Sequence, residues 1–230
     1  MKDILRMAAL AVALISLAAC GTTTVLHATF DTEPVGGPPA ATQPIGTVTT
    51  ANGAGSVTVA GSPVPGEQSH WARIRHPNQP APETVLRAQF DAPHGPGKYG
   101  LLCVLFIPSG TGVATVQFEN FGGSIGSAAD FMHLDFMPEN NVRINDDPNP
   151  SHRFGTFTRD KSFVLSVQID STVNPPKATV TLLGAGASGS ADVPNLPAIA
   201  NQFGAVRVWM GFQFTGTFFV DDILVTRRNS

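Results

Sequence analysis

Apolar and polar residues alternate along this chain in short runs, and the runs are separated by Gly, Pro, Asn and Asp. The clearest run is Phe163, Leu165, Val167 and Ile169, a strict period of two with Val164, Ser166 and Gln168 between them. That period places one set of side chains on each face of a strand. Asn174-Pro175-Pro176 then supplies a turn into Ala178–Leu183, which predicts a hairpin. The first strand of that hairpin is expected over Ser162–Asp170, and further strands near Val25–Phe30, Ser56–Ala60, His70–His76, Thr84–Phe90, Gly100–Ile107, Val113–Glu119, Phe131–Met137, Val142–Asn145, Phe154–Thr158, Val206–Phe214 and Thr217–Thr226. Leu196–Phe203 is the one stretch that suits a short helix. No repeat of 20 to 50 residues appears. Many short strands with turn residues between them, and almost no helix, predict an all-β antiparallel sandwich or barrel.

The first 20 residues break this pattern. Lys2 and Arg6 precede an apolar stretch, Met7–Leu17, that is too short for a permanent membrane span. The three-part layout is that of a signal peptide. Its ending, Leu17-Ala18-Ala19-Cys20, resembles the bacterial lipobox. That resemblance implies cleavage after residue 19, a diacylglycerol on Cys20 and attachment to a membrane of the cell envelope. Gly21 follows Cys20, which resembles the signal for the outer membrane in hosts with two membranes. The expected organisation is a signal peptide at 1–19, a lipidated tether at 20–24 and one β domain at 25–230.

Cleavage takes Lys2, Asp3 and Arg6 away and leaves 12 basic against 16 acidic residues. The basic residues are scattered apart from Arg227-Arg228, so nucleic acid is not an expected partner. Cys103 lies within the apolar run Leu101–Ile107 and reads as a small buried hydrophobe.

Two stretches carry a resemblance. Val25–Gly36 (VLHATFDTEPVG) opens the domain, and Phe218–Thr226 (FFVDDILVT) closes it. They look like the first and last strands of concanavalin A-like and LamG-like jelly rolls, and of jelly-roll carbohydrate-binding modules. The hairpin at 163–184 also resembles the central hairpin of LamG-like sheets. The resemblance implies a jelly-roll β-sandwich in which the first and last strands lie side by side.

It also bears on two adjacent aspartates, Asp221 and Asp222, in the middle of the last strand. Strands disfavour Asp. In the carbohydrate-binding modules a structural Ca2+ sits at this place, which makes Asp31, Glu33, Asp221 and Asp222 candidate ligands for Ca2+, a cation that takes six to eight oxygens. The other reading is that one Asp serves a turn or bulge while its neighbour is solvated.

Alternation also predicts a polar face. With Val116, Phe118, Leu134, Val206, Val208, Met210, Ala72 and Ile74 inward, the outward residues are Gln117, Glu119, His133, Asp135, Arg207, Trp209, Trp71 and Arg73. Trp can stack on a sugar ring while Arg and Gln bond its hydroxyls. Carbohydrate, or another envelope component, is therefore the expected ligand of a non-catalytic domain. Two alternatives stand beside it. One is a glycan-degrading hydrolase using Glu119 and Asp135 as paired carboxylates. The other is a structural lipoprotein without a ligand. No Gly-x-Ser-x-Gly elbow, His-Glu-x-x-His motif or phosphate loop is present.

Overall fold

A computed structural model describes residues 21–53, 55–77, 82–125, 129–145, 153–211 and 214–228. The signal segment and Cys20 lie outside the described residues. Fifteen strands are described: β1 Thr22–Ala28, β2 Thr47–Ala51, β3 Ser56–Gly61, β4 His70–His76, β5 Thr84–Gln89, β6 Lys98–Phe106, β7 Ala114–Asn120, β8 Asp130–Phe136, β9 Val142–Ile144, β10 Arg153–Phe154, β11 Ser162–Asp170, β12 Lys177–Leu183, β13 Gly189–Val193, β14 Phe203–Met210 and β15 Gly216–Arg228. They form two antiparallel sheets. The eight-stranded sheet runs β13-β12-β11-β6-β15-β4-β3, with β1 also paired to β15, and the seven-stranded sheet runs β10-β9-β8-β7-β14-β5-β2.

The alternation read from the sequence is what the sheets bury. Phe163, Leu165, Val167 and Ile169 of β11 face the core, as do Ala178, Val180 and Leu182 of β12. The two strands form the expected hairpin, with Asp170 opposite Lys177. β6 is apolar on both faces because both are covered. Leu101, Cys103 and Leu105 enter the main core. Val104 and Phe106 lie on the outer face in a small cluster with Trp71, Val64, Val164 and Phe219. Burial pushes the Cys103 thiol up to about 12, so it is an inert core atom.

The centre of the sandwich is aromatic. Phe203 sits with ring centroids 5.0 Å from Phe90, 5.3 Å from Tyr99, 5.6 Å from Phe131 and 5.9 Å from Phe118. Three of the four contacts are edge-on, the arrangement that ring quadrupoles favour. Where a short helix was expected there is a single 3-10 turn, Ala198–Gln202, and Phe203 already belongs to β14. Gly204 must be glycine here, since a Cβ would meet the Phe121 Cα at 2.5 Å.

β15 is shared by three strands. One edge pairs with β6 from Phe219 to Arg228. The other edge pairs first with β4, through Gly216–Val220, and then with β1, through Ile223–Arg228. The first and last strands are thus neighbours, as the resemblance implied. β1 begins at Thr22, inside the stretch expected to be a tether. Asp221-Asp222 marks the handover from β4 to β1.

Candidate functional site

At that handover the ladder contains one extra residue. Asp221 is opposite Val104 and Leu224 is opposite Leu102, so Asp222 and Ile223 share Cys103. This is a β-bulge. Asp222 has φ 50°, a left-handed conformation that Asp tolerates better than apolar residues do. The buried Asp221 carboxylate accepts the Asp222 N–H at 2.9 Å. The aspartate pair therefore has a structural cause: one residue adopts the turn and the other binds its N–H.

The remaining Ca2+ candidates are committed elsewhere. Asp31 Oδ1 accepts the His70 N–H at 2.9 Å. The buried Glu33 carboxylate accepts the Ala40 N–H at 2.7 Å and a Gln43 Nε2–H at 3.0 Å, closing the Pro/Gly loop after β1. Among the described residues no three His, Cys, Asp or Glu side chains gather as a cation site. Asp31, Glu33 and Asp221 each spend part of their carboxylate on a backbone N–H, and among the described residues the four acids do not converge on one point.

Asp222→Gly is expected to change stability by less than about 0.5 kcal/mol. Asp222→Val should cost about 1–3 kcal/mol, the price of a β-branched residue at positive φ. Urea unfolding of both variants, with Ca2+ and with EDTA, checks this. Equal tolerance of Gly and Val, or a Ca2+-dependent rise that disappears in Asp222→Gly, would refute the bulge account.

The polar face is built by the seven-stranded sheet. Residues opposite one another in an antiparallel pair share a face. One row runs Thr49, Arg87, Arg207, Gln117, His133, and the next runs Val85, Trp209, Thr115, Asp135, Arg143. Gln89, Ala205 and Glu119 form a third. Six of the eight outward residues expected from the sequence fall within this array. Trp71 and Arg73 do not join it, because β4 belongs to the other sheet. Trp71 is fully buried there, with its Nε1–H donated to Ser69 Oγ at 3.0 Å, and Arg73 bonds Thr58 Oγ1 at 3.0 Å.

Arg87 and Arg207 lie directly opposite each other, which would repel if nothing came between them. Glu119 resolves it. Its Oε2 is 2.6 Å from Arg87 Nε and its Oε1 is 3.7 Å from Arg207 Nη1. Arg207 is also paired with Glu83, and Arg87 donates to Gln89 Oε1. Glu119 is 1% exposed and Arg87 2%. Gln117 joins this group to the indole, accepting the Trp209 Nε1–H at 2.8 Å and donating to Glu119 Oε1 at 3.4 Å. The Arg207 guanidinium lies over the Trp209 ring, 5.1 Å from its centroid. Asp135 forms a separate group, with Thr115 Oγ1–H at 2.7 Å and Arg143 Nη2 at 2.6 Å. His133 Nδ1 lies 3.6 Å from Asp130 Oδ2.

The register sets apart the two carboxylates of the hydrolase alternative. Asp135 is opposite Thr115, four residues along β7 from Glu119. Four residues of strand span about 13 Å, whereas glycosidase carboxyl pairs lie about 5–9.5 Å apart. Each carboxylate is also paired with an arginine, Glu119 with Arg87 and Asp135 with Arg143. Arg87, Glu83, Thr115 and Arg143 are members of the face that the sequence reading passed over. Arg87 had a usable signal, since Leu86 and Ala88 on either side of it are core residues.

No family model matches the sequence, and no curated protein matches it. Solved structures do: the architecture is the jelly roll of lectin-like proteins. Arcelin-5, a lectin-like defence protein from Phaseolus vulgaris, superposes with a TM-score of 0.53 at 10% identity, covering 92% of this chain and 100% of its own. Lectin II from Ulex europaeus gives 0.51 at 11% identity over 90% of this chain and 100% of its own. Lectin I from Ulex europaeus, in complex with the methyl glycoside of α-L-fucose, gives 0.50 at 11% identity over 90% and 97%. At these identities the likeness is one of fold.

Proposed function

We propose that the protein is a lipid-anchored component of a bacterial cell envelope, at the outer membrane where the host has two, and that its seven-stranded sheet binds a saccharide without transforming it. The lipobox resemblance at Leu17–Cys20 supports the anchor. The observation that carries the binding reading is Trp209. Its half-buried ring is set beside Arg207, Gln117 and Thr115 on one sheet face, with Glu119 and Asp135 further off on β7 and β8. An indole offers a flat apolar surface to a sugar ring, and the buried Gln117 and Arg207, which bond and cover it, fix its orientation. The same fold holds a fucoside in Lectin I from Ulex europaeus. The reading needs no Ca2+.

The test is tryptophan emission during titration with a panel of mono- and oligosaccharides that includes α-L-fucosides and galactosides. Trp71 is fully buried, so a ligand on this face perturbs Trp209. A saccharide that shifts emission is expected to bind Trp209→Ala about tenfold more weakly, or 1.4 kcal/mol. Trp209→Phe should recover part of the loss. A panel without a single binder by emission or calorimetry, on natively folded protein, would overturn the reading.

A further inference from the structure

The sequence scatters its basic residues, but the fold collects some of them. At one end of the eight-stranded sheet, register places Thr22 opposite Arg228, Arg228 opposite Lys98, Lys98 opposite Asp170, and Asp170 opposite Lys177. These side chains share the outer face, around a groove of about 340 Å3 whose walls also include Gln168 and Thr226. Arg228, Lys98 and Lys177 are exposed. Asp170 is the one acid in the row, held by the Thr172 hydroxyl at 2.6 Å and by Lys98 Nζ at 3.5 Å. Asp192, one row further in, accepts from Thr179 at 2.8 Å. The end row is cationic on a chain whose acidic residues outnumber its basic ones.

Its position gives the charge a meaning. Only Gly21 separates Cys20 from Thr22, the first residue of β1 and of the row. Two residue spacings reach about 7 Å at full extension. That is shorter than the Debye length of about 10 Å at 0.1 M salt. A lipid on Cys20 would therefore hold the Thr22 end of the row within electrostatic range of a bilayer surface. Arg228, Lys98 and Lys177 follow one, two and four strands along, the last about 19 Å away, and all three meet the surface when this face lies along it. Acyl chains combined with basic residues form a two-part membrane attachment.

We propose that Arg228, Lys98 and Lys177 form a membrane-contact surface that binds anionic phospholipid headgroups and sets the orientation of the domain. The inference rests on the lipid-anchor reading above. The two sheets of a sandwich turn their outer faces in opposite directions. Laying this face against the leaflet directs Trp209 and its neighbours away from it, towards whatever saccharide the surroundings present.

The mature chain contains three lysines, and they make the test internal. Lys98 and Lys177 lie in the row, while Lys161 precedes β11 at the other end of the sheet, where Ser162 faces Phe106. The full chain is matured in a bacterial host and reconstituted into phosphatidylcholine vesicles with or without phosphatidylglycerol. Lysine acetylation and the mass of the Cys20 peptide are then measured. On anionic vesicles Lys98 and Lys177 should react at least about fivefold more slowly than Lys161, with protection lost on neutral vesicles and in raised salt. Lys177→Glu with Arg228→Glu should remove the protection of Lys98. A lipidated Cys20 with equal labelling of all three lysines, or with protection indifferent to phosphatidylglycerol, overturns the contact surface and leaves the anchor standing. An unmodified Cys20 overturns both.

Discussion

Glu119→Ala is expected to lower the stability of the sandwich by about 3–5 kcal/mol, the usual cost of removing one partner of a buried ion pair. Glu119 and Arg87 are 1% and 2% exposed. Removing the carboxylate leaves the Arg87 guanidinium without its 2.6 Å partner and facing Arg207 across the strand pair. Most of the cost is the stranded charge, not the lost attraction. Arg87→Met combined with Glu119→Leu should therefore be much closer to native than Glu119→Ala alone. Urea unfolding of the single and double variants closes the cycle. For a domain of this size the single change corresponds to a fall in Tm of roughly 10 °C. A cost below about 1 kcal/mol would mean that the pair behaves like a solvated surface bridge.

The second large effect is expected at Phe203. Phe203→Ala removes the ring that four other aromatic residues surround, and deletions of this kind cost about 3–5 kcal/mol because the cavity does not collapse. Phe203→Leu keeps most of the volume and should cost about 1–2 kcal/mol. Calorimetric unfolding separates the two. Equal effects would show that the surrounding rings repack into the space.

Alternation made the architecture legible where one face of a strand is buried and the other wet. β4 and β11 have the bounds expected from the sequence, His70–His76 and Ser162–Asp170. β2 and β13 were not expected. Both are edge strands, TVTTA and GSADV, short and nearly without large apolar residues, because an edge with little behind it needs few. The helix expected at Leu196–Phe203 gave way because the chain leaves the 3-10 turn at Phe203 to seat that ring in the core.

For the polar face, a period of two gives inward or outward but not which sheet. Gln117, Glu119, His133, Asp135, Arg207 and Trp209 came out together, and Trp71 and Arg73 came out on the opposite sheet for the same reason. Trp71 also shows that outward does not mean exposed, since Val64 and Phe219 pack in the cluster around it. The cationic row was invisible for a related reason: its members are adjacent only through register, and no sequence window contains Arg228, Lys98 and Lys177.

The shared strand β15 has a consequence for how the molecule forms. Its pairing with β1 joins positions roughly 200 residues apart, a long loop to close, and contacts of that range slow folding. β1, β4 and β6 all wait for this one segment before their ladders are complete. A nascent chain emerging from its N-terminus holds three open strand edges until residues 216–228 arrive. Were the chain exported as proposed above, late closure would keep it threadable, and once across those same edges would make it dependent on prompt completion to escape aggregation.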